Sequence, residues 1–154
     1  MYENNDDLPL FYFDVAHAVK EHDWIIEHSG GRAGIKDQGI LESVLEHIQN
    51  DQYYPTLEAK LTHLVFGVNK FHAFVDGNKR SSIALGAYFL EMNGLGFCVH
   101  KFIHTMENYA VWLAEDLIDK ELLGDIITSL IEDDDFPEAL KLRIARAASQ
   151  SISR

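Results

Sequence analysis

The segment from His72 to Arg80, HAFVDGNKR, concentrates polar and charged side chains between two stretches with the character of buried helices. A helix that begins near Lys79 or Arg80 presents unpaired backbone N–H groups and the positive end of its dipole to this segment. Gly77 and Asn78 tolerate the backbone angles that fold these amides into a concave nest. The side chains of Lys79 and Arg80 add two cations beside it. The segment therefore predicts an anion site, for which phosphate is the natural ligand.

Asp76 and His72 add the groups that chemistry on a phosphate requires. A carboxylate would repel a bound phosphate unless a cation lay between them, and Mg²⁺ prefers one or two carboxylates together with phosphate oxygens. His72 can accept a proton from an attacking hydroxyl near neutral pH. Phe74 is expected to face the core and anchor the loop. Together these residues predict transfer of a phosphorus group from a nucleotide to a hydroxyl.

Helices must position these residues, because apolar residues recur at spacings of three and four along most of the chain. Asp37 and Thr56 are placed to cap the second and third helices. Asn93 and Gly94 are predicted to end the fourth. No internal repeat occurs, and no alternating run is long enough to require a sheet. The predicted helical stretches are 11–28, 36–50, 56–71 and 81–92, with two more around Trp112 and Ile127.

Composition excludes several classes of function. The formal net charge is −12, so the overall field repels nucleic acid and anionic membrane surfaces. With one cysteine, Cys98, no intrachain disulfide can form. The N-terminal residues lack the pattern of a secretion signal, and we expect a cytoplasmic protein. The larger aromatic residues are expected in the core rather than on a base-stacking platform: Phe11, Tyr12, Phe13, Phe89, Tyr109 and Trp112.

The nine residues resemble the signature of the Fic/Doc family, HxFx(D/E)(G/A)N(G/K)R between two helices. Every specified position is filled, by His72, Phe74, Asp76, Gly77, Asn78, Lys79 and Arg80. The upstream segment GIKDQGILESVL, from Gly34 to Leu45, also looks like the one that precedes the motif in death-on-curing (Doc) toxins. The resemblance implies an all-α, single-domain helical bundle with its active-site loop between two central helices.

The resemblance also implies roles for the motif residues. His72 would be the general base and Asp76 the Mg²⁺ ligand. Gly77, Asn78 and Arg80 would bind phosphate. In the family, glycine at the position of Lys79 accompanies AMP transfer, whereas lysine accompanies transfer of the γ-phosphate. A lysine side chain can occupy a phosphate subsite that glycine leaves open, so the nucleotide would bind in reverse and attack would fall on the terminal phosphorus.

The resemblance thus implies a Doc-like toxin of a toxin–antitoxin system, a kinase that transfers the γ-phosphate of ATP to a Ser or Thr hydroxyl. Its target would be a translation factor such as elongation factor Tu, by family precedent. Two alternatives stay open. One is a Fic-type adenylyltransferase (AMPylation), and the other is a non-enzymatic module that binds a nucleotide.

Three glycines, Gly30, Gly31 and Gly34, form a candidate flap. Fic proteins use a flap at this place in the chain to hold the target by strand-like backbone pairing, although the glycines could also serve only to end a helix. A separate small antitoxin chain with a basic helix is the expected inhibitor. An internal inhibitory motif at Thr128 to Asp133 is disfavoured, because Asp133 stands where glycine or asparagine is required. Self-association stays open.

The two ends lie outside the resemblance. We predict an N-terminal tail at residues 1–10, a Fic/Doc domain at 11–132 and a helical C-terminal extension at 133–154. Four of the thirteen Lys and Arg residues lie in this extension, at Lys141, Arg143, Arg146 and Arg154. One face of its helix carries Leu140, Ile144 and Ala148. That face could dock on the acidic body, or the helix could fray as chain ends do.

Overall fold

The computed structural model describes the backbone of residues 9–153 and the side chains of residues 9–150. Most of the predicted N-terminal tail, residues 1–8, and Arg154 lie outside the described residues. The helices within this range are α1 Val15–Ser29, α2 Gln38–His47, α3 Leu57–Lys70, α4 Asn78–Met92, α5 Val99–Ala114, α6 Lys120–Glu132 and α7 Glu138–Ser153, with a 3₁₀ turn at Gly96–Cys98. No strand occurs in this range, so the all-α prediction is confirmed. A single isolated bridge pairs Ile35 with Phe74.

The first helix begins later than its apolar pattern predicts. Asp14 caps α1 and accepts a hydrogen bond from the His17 amide at 2.9 Å, so the helix begins at Val15 rather than at Phe11. The backbone N–H and C=O of Phe11 pair instead with the side-chain amide of Asn93, at 2.7 and 3.1 Å. Phe11 is 63% exposed, and its prediction as a core residue is wrong. The other five aromatic residues of that set are buried or pack against the core.

Capping explains the other boundaries in part. Thr56 accepts a hydrogen bond from the Ala59 amide at 3.1 Å and begins α3 as predicted. Asp37 stands at the N-cap of α2, but its side chain makes no capping hydrogen bond, so only its position was predicted correctly. Asn93 ends α4, and Gly94 follows with a φ of 81°.

The motif loop joins the two central helices, α3 and α4. α3 contacts α2, α4, α5 and α6, whereas α4 contacts α1, α3 and α5. Both helices contribute fully buried side chains to one core: Leu61, Leu64, Val65 and Val68 from α3, and Leu85, Phe89 and Leu90 from α4. Core packing on both sides therefore fixes the two ends of the loop. None of the described helices combines the length and apolar character needed to cross a bilayer.

The C-terminal helix docks on the body of the protein. Leu140 and Ala147 are buried in the core cluster, and Ile144 packs against it. Arg143 forms an ion pair with Asp125 on α6. Of the two alternatives for this segment, docking is therefore the one observed across the described part of α7.

A buried polar cluster joins α3 to the start of α6. His63 is 5% exposed, and its Nδ1 lies 3.1 Å from the Tyr54 hydroxyl and 2.9 Å from the Lys120 Nζ. Burial, together with the positive charge of Lys120, lowers the pKa of His63 from its ordinary 6.5 to about 4. The ring is therefore neutral at physiological pH and accepts hydrogen bonds at Nδ1.

This shift predicts a loss of stability in acid. The folded pKa of His63 lies below the unfolded value, so the unfolded chain gains the proton first as the pH falls from 6.5 towards 4. Between pH 7.5 and pH 4.5 the wild type should lose about 2–3 kcal/mol of unfolding free energy more than His63→Asn, which keeps an acceptor but does not titrate. Urea unfolding at both pH values measures this difference. The exposed control His104→Asn should behave as the wild type, and equal losses in wild type and His63→Asn would contradict the assignment.

Candidate active site

Helix α4 begins earlier than expected, and this adds a backbone amide to the predicted anion site. Gly77 is its N-cap, with a left-handed φ of 77°, and Asn78 is its first residue rather than Lys79 or Arg80. The amides of Asn78, Lys79 and Arg80 therefore all lie in the first turn, where an α-helix supplies no carbonyl partner for them. Three N–H groups and the positive end of the helix dipole point out of this end of α4.

The Asn78 side chain shapes the motif loop. The Phe74 N–H donates to Asn78 Oδ1 at 3.1 Å, and Asn78 Nδ2 donates to the Phe74 C=O at 3.0 Å. This double hydrogen bond, the Asn78–Phe74 pair, is buried, and Phe74 is fully buried as predicted. Because the Asn78 side chain is engaged in this pair, the predicted contact of Asn78 with phosphate would be made by its backbone N–H.

The flap, residues 30–36, runs antiparallel to the motif loop. The Val75 N–H donates to the Gly34 C=O at 3.1 Å, and the Lys36 N–H donates to the Ala73 C=O at 2.8 Å. Backbone pairing of the kind expected for a target thus already occurs here, between the flap and the motif loop itself.

Ile35 and Phe74 lie opposite each other between these two hydrogen bonds. In such an antiparallel pair, the backbone N–H and C=O of both residues point away from the shared ladder. Those of Phe74 meet the Asn78 side chain. Those of Ile35 point to the outer edge of the flap, where a further extended segment could pair.

The flap also contacts the predicted metal ligand. Asp76 Oδ2 accepts a hydrogen bond from the Arg32 N–H at 3.0 Å, and Oδ1 accepts one from the Gly77 N–H at 2.8 Å. These two hydrogen bonds lower the pKa of Asp76 below its ordinary value, and the bond from Arg32 has the larger effect. The carboxylate is therefore ionised at neutral pH, as a magnesium ligand must be.

The residues around Asp76 fit Mg²⁺ bound with a nucleotide. Among residues 9–150, no three His, Cys, Asp or Glu side chains come together to hold a metal ion. Mg²⁺ does not need such a set, because it takes one or two carboxylates and completes its shell with phosphate oxygens and water. An ionised Asp76 beside the first turn of α4 provides the carboxylate.

Arg80 is held by the junction of α1 and the flap. Its Nη1 donates to the Ser29 hydroxyl and to the Gly30 C=O, both at 2.7 Å. A phosphate that binds Arg80 must compete with these contacts or share the guanidinium with them. Lys79 is exposed at the rim of the same helix end.

His72 is exposed and has a φ of 53°, which is uncommon for a residue other than glycine. Its Nδ1 lies 3.5 Å from Asn78 Nδ2, a long contact that leaves the imidazole accessible. The structure thus brings together His72, Asp76, Arg80 and the first-turn amides around one end of α4.

Sequence reasoning missed His22 of α1. This side chain is fully buried, and its ring stacks on Phe74 with centroids 3.8 Å apart and planes 2° from parallel. Its Nε2 donates to the backbone C=O of Asp76 at 2.6 Å. The one available signal was its place between Ala18 and Ile25 on the apolar face of α1, where a histidine is unusual.

Gly31 fits closely between the two charged motif side chains. A Cβ built on Gly31 would lie 2.7 Å from Asp76 Oδ2 and 2.8 Å from Arg80 Nη2, and its φ is 113°. Gly30 also has a positive φ, of 87°, but a Cβ there would meet no atom within 4 Å. Gly30 is the C-cap of α1, so the helix-ending reading holds for this glycine, while Gly31 is required by close approach.

Alanine substitutions separate these two demands. Gly30→Ala adds only backbone strain, because φ 87° with ψ 174° is a conformation that is nearly restricted to glycine, and should lower the free energy of unfolding by about 1–3 kcal/mol. Gly31→Ala adds comparable strain and also pushes the ends of the Asp76 and Arg80 side chains aside, and should cost about 1 kcal/mol more than Gly30→Ala. Urea denaturation of the two variants measures the difference. A larger loss for Gly30→Ala would contradict this packing of the flap.

Comparisons with known proteins agree with this geometry. A family model described as the Fic/DOC family matches residues 12–90, a range that contains α1, the flap and the whole motif loop. Over 100 residues the chain is 32% identical to Toxin Doc of Mycolicibacterium smegmatis, an alignment that covers 62% of this chain and 71% of that protein. The chain belongs to the Fic/DOC family.

Proposed function

We propose that this protein is a Doc-like toxin that transfers the γ-phosphate of ATP to a Ser or Thr hydroxyl of a target protein. One observation carries the proposal. The ionised Asp76, the first-turn amides of α4 and the Arg80 guanidinium surround one helix end, with an accessible His72 beside them. This arrangement suits a nucleotide polyphosphate and an attacking hydroxyl.

The chain's own residues would divide the reaction between them. The α4 amides and Arg80 would bind phosphate oxygens and hold the terminal phosphorus in line with the hydroxyl. Asp76 would hold Mg²⁺, which neutralises charge on the phosphates when it is bound. His72 would take the hydroxyl proton as the hydroxyl oxygen bonds to the γ-phosphorus, and ADP would leave with the electrons of the broken P–O bond.

Lys79 favours cleavage at the γ-phosphate over cleavage at the α-phosphate. Its side chain is exposed at the rim of the α4 N-terminus, where it can claim a terminal phosphate group. A nucleotide held there in the reversed sense would present its γ-phosphorus to His72. Lys79→Gly would remove this preference.

The outer edge of the flap would hold the target. The Ile35 N–H and C=O face away from the motif loop, so an extended target segment could add to this edge. Gly31 keeps the flap close to Asp76 and Arg80. A target hydroxyl on such a segment would lie near the motif. A translation factor such as elongation factor Tu is the proposed target.

We propose a separate small antitoxin as the inhibitor. The net charge of −12 favours a partner with a basic helix. The similarity to a protein named Toxin Doc supports this partner class. The internal segment Thr128–Asp133 comprises the last five residues of α6 and the C-cap that follows them, and its glutamate, Glu132, is exposed.

Position-specific labelling tests the proposal. Purified protein, Mg²⁺ and a cell lysate are incubated with ATP labelled at either the γ or the α phosphorus. We expect protein labelling from γ-labelled ATP alone, with a loss of about 100-fold or more in His72→Ala, because general base catalysis is worth about that factor. His100→Ala, an exposed histidine on α5, should label as the wild type does.

Each other result rejects the proposal in a different way. Labelling from the α position alone would make the protein a nucleotidyltransferase despite Lys79. Tight ATP binding with no labelling from either position, in lysates freed of any antitoxin, would favour the nucleotide-binding module.

A further inference from the structure

We propose that His22 is a positioning residue that fixes Asp76 and the start of α4 through the backbone of the motif loop. His22 belongs to α1 and lies 54 residues from Asp76 in the sequence. Its side chain is fully buried, whereas that of His72, the histidine within the motif loop, is exposed. The catalytic part of this inference rests on the proposed function, whereas the structural part does not.

The hydrogen bond defines which ring nitrogen carries hydrogen. A backbone carbonyl only accepts, so His22 Nε2 must donate to the Asp76 C=O across 2.6 Å. His22 Nδ1 is buried without a hydrogen-bond partner, and the nearest carboxylate oxygen, on Asp23, is 3.8 Å away. The hydrogen bond to the motif loop is therefore the polar contact that this buried ring makes.

This hydrogen bond lies where it can fix the orientation of the peptide between Asp76 and Gly77. The Asp76 C=O belongs to the peptide that leads into Gly77, whose left-handed conformation turns the chain into α4. A Cβ on Gly77 would lie 3.4 Å from His22 Nε2 and 3.1 Å from Ile26 Cδ1, so α1 contacts this turn directly. Without the donor, the peptide could rotate, and the Asp76 carboxylate and the first-turn amides would move with it.

Packing alone does not account for a histidine here. The flat stack on Phe74 could be made equally well by a phenylalanine, which would not bury an unpartnered ring nitrogen. The feature that only a polar side chain supplies is the donor to Asp76. His17, one turn and a half earlier on α1, is the natural comparison, since it stacks on Tyr88 at 4.1 Å and its Nε2 has no partner.

Two substitutions separate the stack from the donor. His22→Phe keeps the aromatic stack and removes the donor, whereas His22→Gln loses the stack and places an amide N–H near the position of Nε2. His17→Phe makes the same chemical change on the same helix away from the motif. Thermal unfolding establishes that each variant is folded before it is compared.

Amide hydrogen exchange of the ligand-free protein gives the first readout. The Arg32 and Gly77 N–H groups both donate to the Asp76 carboxylate, so they report its position. In His22→Phe these two amides should exchange about tenfold faster, as expected for loss of one buried hydrogen bond. His22→Gln should recover most of the protection, and His17→Phe should match the wild type. Unchanged exchange in His22→Phe would overturn the inference.

Label transfer gives the second readout. In His22→Phe, kcat should fall about tenfold while KM for the target protein stays unchanged, and His22→Gln should recover most of it. Ring ¹⁵N shifts of wild-type His22 should show hydrogen on Nε2, and hydrogen on Nδ1 alone would overturn the inference even if no variant folds. If the wild type transfers no label, the proposed function fails, while the exchange measurement still decides the role of His22.

Discussion

The site depends on how the backbone of the motif loop is paired at Phe74 and at its two neighbours, Ala73 and Val75. On one side the flap forms a short antiparallel ladder with the motif loop, and on the other the Asn78 amide bonds the Phe74 N–H and C=O. Because Phe74 is fully buried, its own N–H and C=O would each cost free energy if Asn78 did not pair with them. This requirement fixes the loop between two packed helices and leaves the α4 N-terminus open for a ligand.

The same arrangement couples the flap to the charged groups of the site. The Asp76 carboxylate accepts a hydrogen bond from the Arg32 N–H, and the Arg80 guanidinium donates to the Ser29 hydroxyl and to the Gly30 C=O. The flap that would hold a target is thus bonded to the groups that would hold the nucleotide and its metal ion. Its outer edge, at Ile35, remains available at the same time. Binding of the two substrates is therefore expected to involve one connected set of contacts.

The sequence was informative where a signal is local. All residues of the motif lie within nine consecutive positions and can be recognised together, and the apolar spacing identified the helices on either side. It was uninformative about contacts between distant segments. The motif residues form hydrogen bonds with Arg32, Ser29 and His22, which lie 44, 51 and 54 residues away from their partners in the sequence. Local spacing patterns carry no information about contacts at such separations. Local chemistry also misled at Phe11, because the pairing with Asn93, 82 residues away, overrides its aromatic character.

In the proposed function a nucleotide polyphosphate binds at the first turn of α4, and one measurement tests this directly. The ¹⁵N-labelled protein is titrated with ATP in the presence of Mg²⁺ while its backbone amide signals are followed. The largest shifts should fall on the amides of Asn78, Lys79 and Arg80, with smaller shifts at Arg32 as the flap contacts of Asp76 adjust. Saturable shifts confined to another part of the chain, with the signals of these three amides unchanged, would contradict this position of the nucleotide.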